Sequence, residues 1–381
     1  MIYLDNAATS WPKPEMVYRK LLETIRSGGG SYGRGNHRMA SRAGDLILEA
    51  RRLCGQIFGF SNPNDVCFTS NGTEAINLAL KGILEPGNRV ITTRMEHNSV
   101  TRPLRKLEKY GVEIIKIDTS PEEGMSLDQL EGELKRGAKL VVCNHISNVT
   151  GTVNPIAEIG ELSNRYGALF LVDAAQSAGN KKINVEEMKI DLLAFPGHKG
   201  LFGPMGTGGL YIRQGLLLDT LKEGGTGMDS HSLEQPVRGP QRYESGSLNT
   251  PAIAAMAEGI RYILDETIES IEKKESRLVV QLMDGLEKLD RVRIIGPGKE
   301  RSRGSIVSIQ LEGYDPSEGA LILDEAFGLA VRSGLQCARD AHENLGTLNG
   351  GGTIRISPNY FNSEQDIQHC INALESMCGK G

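Results

Sequence analysis

The six cysteines of this sequence, at positions 54, 67, 143, 337, 370 and 378, include no CxxC pair. Thiols scattered in this way argue against a structural zinc site and against a disulfide framework. In a reducing compartment they are free, and most are expected to be buried as small apolar groups. Long apolar runs are missing as well. The longest, such as Ala168–Val172 and Leu140–Cys143, are strand-sized, so no segment is expected to span a bilayer. Met1-Ile2-Tyr3-Leu4-Asp5 lacks the basic and then apolar regions of a secretory signal, which makes a cytoplasmic chain the expectation. Charge is close to balanced, with 43 basic and 48 acidic side chains and a formal net charge of −5. That balance provides no electrostatic attraction for nucleic acid or an anionic membrane. There is no internal repeat and no low-complexity segment. The glycine-rich pieces Gly28–Gly35, Gly224–Gly227 and Gly350–Gly352 read as short loops, not linkers.

What is present is a chain of 381 residues, 39% apolar, long enough for a sizeable core and for more than one domain. Its middle alternates strand-like and helix-like pieces. Strands are expected at Val66–Ser70, Arg89–Thr93, Ile114–Ile117, Leu140–Cys143, Leu169–Asp173, Asp191–Phe195 and Gly209–Ile212. Helical spacing falls between them, at Thr73–Leu84, Val100–Tyr110 and Ile156–Tyr166. This alternation predicts an α/β fold with a mostly parallel sheet covered on both faces. Past Pro251 the pattern changes. One long helix is expected from about Ala252 to Leu289, then strands at Val292–Ile295, Ile306–Leu311 and Thr353–Ile356 and a helix near Glu318–Phe327. These read as a smaller α+β domain.

Phe195-Pro196-Gly197-His198-Lys199 places a lysine just beyond a buried strand. Leu171-Val172-Asp173 is another apolar strand ending in an acid. In a parallel sheet the strand C-termini line one edge, and ligands bind in the crevice there. Lys199 and Asp173 would then share a pocket. Pyridoxal 5'-phosphate (PLP) chemistry needs that pair: a lysine for the Schiff base and a carboxylate to keep the pyridine nitrogen protonated. Ser70-Asn71-Gly72-Thr73-Glu74 passes from strand to helix through small residues, so its free N–H groups and the Thr73 hydroxyl would favour an anion. His97 follows the strand Arg89–Thr93, where an imidazole could stack on a flat ring and pass protons. Asn148 also follows a strand and could reach the ring's phenolic oxygen. Taken alone, each has a plainer reading: a solvated lysine, an ordinary helix cap, a loop histidine. Five strand ends with complementary chemistry are harder to set aside.

Together these residues resemble the fold-type I, class V aminotransferase-like PLP enzymes, and within them the cysteine desulfurase and selenocysteine lyase family. The resemblance runs from Tyr3-Leu4-Asp5-Asn6-Ala7-Ala8 to the C-terminal region. It implies a large PLP-binding domain over 16–255 and a small domain formed by 1–15 and 256–381. It makes Lys199 the Schiff-base lysine and Asp173 the partner of the pyridine nitrogen. Gln176 would bind the phenolic oxygen, and His97 would stack on the ring. Thr73, His198 and the backbone at Gly72 would hold the phosphate. Ser247, in Tyr243-Glu244-Ser245-Gly246-Ser247-Leu248-Asn249-Thr250, would complete the phosphate cup across a homodimer interface. Asn148 and Arg355 would bind the substrate carboxylate, for which a guanidinium fork is suited.

Val331-Arg332-Ser333-Gly334-Leu335-Gln336-Cys337-Ala338 is similar to the catalytic-loop signature of the SufS-like branch of the desulfurases. The resemblance makes Cys337 the nucleophile that takes sulfur from L-cysteine as a persulfide, leaving alanine, and passes it to an acceptor protein or a small thiol. Arg339 stands close by in sequence, and a thiol near cations favours thiolate. Cys67 and Cys143 fall inside apolar strands, and Cys54, Cys370 and Cys378 read as structural. The chain departs from the family at Pro196, where a serine is usual, at Ser247 in place of threonine, at Gln336 in place of histidine, and at Arg339-Asp340. Selenocysteine lyase or another cysteine C–S lyase is the nearest rival reading. A class V aminotransferase and an inactive PLP-fold binding protein are the others.

Overall fold

Seven aliphatic segments form the main sheet of the computed structural model, which describes residues 1–27, 30–227 and 231–379. Within the glycine-rich piece Gly28–Gly35, Gly28 and Gly29 lie outside the described residues. The strands are β1 (Val66–Thr69), β2 (Arg89–Thr93), β3 (Glu113–Ile117), β4 (Leu140–Asn144), β5 (Leu169–Asp173), β6 (Leu192–Pro196) and β7 (Gly208–Ile212). Their order across the sheet is β1-β7-β6-β5-β4-β2-β3. Neighbours from β6 to β3 pair parallel, and β7 runs antiparallel to both β1 and β6. Every residue of β4, β6 and β7 is buried, as a sheet covered on both faces requires.

Alternate side chains divide between the two faces. Val141, Cys143, Phe170, Val172, Leu193 and Phe195 join one apolar cluster, with Ile47, Ile57 and Phe58 from the helix Arg38–Phe58. Leu140, Val142, Leu171, Leu192 and Ala194 join the other, with Ala79 and Leu80 from the helix Gly72–Ile83. The predicted strands and intervening helices lie within two residues of those observed.

The long helix expected over 252–289 is two helices, Thr250–Glu266 and Ile268–Leu286. The break falls at Thr267, whose backbone has φ 69 and ψ 142. No glycine or proline marks it. Thr267 instead restarts the second helix as its N-cap, its hydroxyl accepting from Ser270 N at 3.2 Å. The sequence reading did not identify the helices Glu15–Ser27, Arg38–Phe58 and Glu364–Cys378.

A second sheet is antiparallel: β8 (Val292–Ile295), β9 (Val307–Leu311), β10 (Arg332–Gly334) and β11 (Thr353–Ile356), in the order β8-β9-β11-β10. It shares a third apolar cluster with Leu278, Leu282, Leu323, Ile367 and Leu374. The N-terminus belongs here too, because Ile2–Tyr3 pairs with Leu329–Ala330 and Leu4 enters this cluster. In β11, Ile354 faces this core, so its neighbours Thr353 and Arg355 face the other way. Arg332 lies directly across from Arg355. No helix among the described residues is long and apolar enough to cross a membrane.

Candidate active site

The C-terminal ends of the parallel strands open into a cavity of about 220 Å³. Register brings its chemistry together, since Asn144 pairs with Asp173 and Asp173 with Ala194, two residues before the strand end at Pro196. Beyond Pro196 the chain turns tightly, with Gly197 N bonded to Thr207 O and Gly203 N to Gly197 O. A side chain at Gly197 would place its Cβ 2.2 Å from Thr207 Oγ1, so glycine is required there by close approach. The N-terminal segment clamps the turn. Thr9 Oγ1 donates to His198 O at 3.0 Å, Ser10 Oγ to Lys199 O at 2.9 Å, and Lys13 Nζ to His198 O at 3.2 Å.

Lys199, which this turn delivers to the cavity wall, has no hydrogen bond or ion pair at Nζ among the described residues. Burial pushes its pKa down to about 8; the Arg355 charge adds to this and Asp173 opposes it. Asp173 is buried and accepts from Ala175 N at 2.9 Å. Burial raises its carboxyl above the usual range, with the Ala175 N–H and Lys199 acting against that.

At the next strand end, Asn71 caps the helix Gly72–Ile83 by accepting from Glu74 N at 2.9 Å. The first-turn N–H groups of Gly72 and Thr73 have no intrahelical acceptor and line the cavity with the Thr73 side chain. The Glu74 carboxylate is held by Ser70 N and Lys222. The capping and the anion-binding readings of this turn are therefore both satisfied, by different groups. His198 lines the cavity and leaves Nδ1 buried without a partner among the described residues.

His97 caps the helix Asn98–Glu108, its Nδ1 accepting from Ser99 N at 3.0 Å. That bond puts the ring proton on Nε2. Burial lowers the His97 pKa to about 4, and Lys199, Arg332 and Arg355 add to the shift, so the ring is neutral at pH 7. Gln176 also lines the cavity and donates to Ala7 O at 3.0 Å.

Arg355, 1% exposed, donates to Asn148 O at 3.0 Å and to Asp5 Oδ1 at 2.8 Å, and its Nε has no partner among the described residues. The Asn148 amide donates to Gln336 O at 2.7 Å. Ser247 is exposed and does not line the cavity of its own chain.

Cys337 is exposed, unlike Cys54, Cys67, Cys143 and Cys370, which are buried, and Cys378, which is half-buried. Burial pushes the Cys54 and Cys370 thiols up to about 12. The expectation that Arg339 supplies the cation beside Cys337 is corrected: Arg339 pairs with Glu343, and Arg332 Nη2 lies 3.3 Å from the Cys337 sulfur. The cause is strand register. Arg332 precedes the turn on the same face as Arg355, whereas Arg339 begins the next helix and turns to solvent.

Sequence reasoning also passed over Asp5 and Glu96. Glu96 is fully buried beside the strand ends, accepts from Thr93 Oγ1 at 2.6 Å and from Asn144 N at 3.2 Å, and leaves Oε2 unpartnered. Burial raises its pKa to about 8, and the Asp173 charge adds to the rise. The signal for it was an acid set between a buried strand and His97.

A family model for class-V aminotransferases matches residues 2–370. The chain belongs to the class-V aminotransferase family. A relative named probable cysteine desulfurase, from Methanothermobacter thermautotrophicus, is 34% identical over 100% of this chain and 95% of its own length. Another of that name, from Pyrococcus abyssi, is 34% identical over 99% of this chain and 94% of its own. Among solved structures, the apo cysteine desulfurase of Thermococcus onnurineus superposes with a TM-score of 0.93 at 33% identity, covering 99% of this chain and 94% of that one.

Enzymes of this class-V group use PLP, and the cavity fits it. The amine of Lys199 is free, the Asp173 carboxylate is buried, and the first-turn N–H groups stand beside the orphaned His198 Nδ1. These groups suit an aldehyde, a pyridinium nitrogen and a phosphate. Pro196, at the strand end beside this turn, carries neither a hydroxyl nor an N–H to offer an anion.

Proposed function

We propose that this protein is a PLP-dependent cysteine desulfurase in which Cys337 carries the sulfur. The observation that supports it most directly is the one exposed cysteine among the described residues, on a short loop next to Gln336 and Arg332, which line the Lys199 cavity, although Cys337 itself does not. A transaminase has no use for a thiol there.

In this reading Lys199 holds the cofactor's aldehyde and Asp173 binds its pyridine nitrogen. Gln176 faces the phenolic oxygen, and His97 stacks on the ring in its neutral form. Gly72, Thr73 and His198 hold the phosphate, with Ser247 of a second copy completing the cup. When bound, the cofactor withdraws electrons from the carbon that bears the substrate amine. Arg355 and Asn148 orient the substrate carboxylate. Lys199, whose pKa is lowered to about 8 from the ordinary lysine range, takes the α-proton in its unprotonated form. The Cys337 thiolate then attacks the substrate sulfur: an S–S bond forms, the C–S bond breaks, and its electron pair goes to carbon. The thiol proton of the substrate ends on that carbon and Lys199 returns the α-proton to the α-carbon, so the products are alanine and a Cys337 persulfide. A thiol acceptor, small or carried by a protein, then takes the outer sulfur in a reducing cytoplasm.

In the same reading 16–255 is the cofactor domain, and 1–15 with 256–381 forms the smaller domain that carries the Cys337 loop. Cys337→Ala is expected to abolish alanine and sulfide formation from L-cysteine and to leave the visible absorbance of the bound cofactor intact. Full turnover in that variant sinks the persulfide mechanism. Lys199→Ala is expected to lose both the absorbance and the activity.

A further inference from the structure

The loop that carries Cys337 takes an unfavourable path. Gln336 and Cys337 are both in the left-handed region, at φ 40 and φ 58, where an L side chain crowds its own backbone. Such a pair persists only when its surroundings over-determine it; Asn98 N donates to Cys337 O at 2.8 Å, and the side-chain contacts gather on Gln336. Its side-chain amide donates to Thr353 O at 2.9 Å, and its Oε1 accepts from Thr353 Oγ1 at 3.2 Å. Its backbone carbonyl accepts from Asn148 at 2.7 Å.

The remaining contact comes from a histidine that no reaction step uses. His342 lies in the helix Arg339–Asn344, is fully buried, and has Nε2 at 2.9 Å from Gln336 Oε1. Because Gln336 Oε1 can only accept, His342 Nε2 carries the proton. Its Nδ1 then accepts from the Thr347 hydroxyl at 2.8 Å. Burial lowers its pKa to about 4, which keeps the ring neutral and this chain of bonds intact at pH 7. Only Leu335–Ala338 separate β10 from this helix, so fixing Gln336 fixes Cys337.

We infer that His342, acting through Gln336, is a positioning residue that holds the Cys337 thiol where it can meet the substrate sulfur. This rests on the desulfurase reading above and adds to it the support on which the nucleophile depends. The thiol is held on a short pinned loop instead of sampling solvent. Removing the pin should then disable sulfur removal and spare the chemistry at the cofactor.

The test uses the holoenzyme with His342→Ala, His342→Gln and Gln336→Met. Two reactions are followed: alanine formation from L-cysteine, and exchange of the α-proton of L-alanine in heavy water, which needs Lys199 but no thiol. In His342→Ala, kcat for alanine formation is expected to fall roughly ten- to hundred-fold, the scale of a misplaced reacting group. KM and α-proton exchange should stay within about two-fold. His342→Gln, which can still donate to Gln336, should recover most of the loss. Gln336→Met should repeat the selective defect even if His342→Ala does not fold. Unchanged kcat in the variants that fold, or an equal fall in exchange and kcat, overturns the inference. The reading it rests on fails separately, if Cys337→Ala keeps turning over cysteine.

Discussion

At the scale of single residues, surroundings decide which of several identical side chains does chemistry. Lys199 is one of many lysines, but burial and Arg355 lower its pKa to about 8. A free amine is needed to capture an aldehyde. The rate at which cofactor-free protein takes up PLP should therefore climb as pH rises through about 8 and then level off. A solvated lysine would keep gaining up to its ordinary value near 10.4. Stopped-flow absorbance across that range checks it, and a rate still rising steeply at pH 10 would count against the assignment. Arg332 and Arg339 make a second contrast. Arg332→Ala should slow both sulfide release and alkylation of Cys337, whereas Arg339→Ala, which removes surface pairs with Glu343 and Asp340, should leave both rates unchanged. Both residues were visible in the sequence. Which of them faces the thiol was not, because that depends on the pairing of β10 with β11.

At the scale of elements, the strands and helices of the middle region were legible because their apolar patterns are strong and their ends are marked by glycine, asparagine or an acid. The break at Thr267 was not, since threonine carries no breaker signal and its conformation is imposed by the two helices it joins. Thr267→Gly is expected to stabilise the fold by about 1 kcal/mol, since glycine reaches φ 69 without strain and remains a tolerable N-cap. Chemical denaturation measures it, and a lower midpoint would show that the Thr267 hydroxyl outweighs the strain. Gly352 supports the Cys337 loop from below, at φ 99 with its would-be Cβ 2.2 Å from Gly334 O. Gly352→Ala should displace that loop, cutting alanine formation far more than cofactor absorbance. Equal loss of the two would point to general misfolding.

At the scale of the whole molecule, Leu22 and Ile25 on the helix Glu15–Ser27, Trp11 shortly before it and Met39 at the start of the helix Arg38–Phe58 are half or more exposed. Large apolar side chains left open in one segment suit a surface that meets another copy. Ser247, exposed and away from its own cavity, suits the same arrangement. Sedimentation equilibrium is expected to give twice the 41.4 kDa of one chain. A strictly monomeric, fully active enzyme would remove Ser247 from the phosphate site.

The sequence by itself determined the alternation of strands and helices in the middle region, the lysine, acid and small-residue turn at three strand ends, and one cysteine in a polar setting. Those follow from local pattern, because burial period and turn chemistry are written residue by residue. Only the tertiary structure decided that Asp5 occupies one arm of Arg355, that Arg332 replaces Arg339 beside the thiol, that Glu96 lies buried under the site, and that His342 reaches Gln336. The first three depend on strand register, or on segments far apart in the chain meeting at one sheet edge, and the fourth on the left-handed path of the loop between a strand and the next helix. A linear pattern carries no distance across such a fold, so the lysine was legible from the sequence and the support around its partner thiol was not.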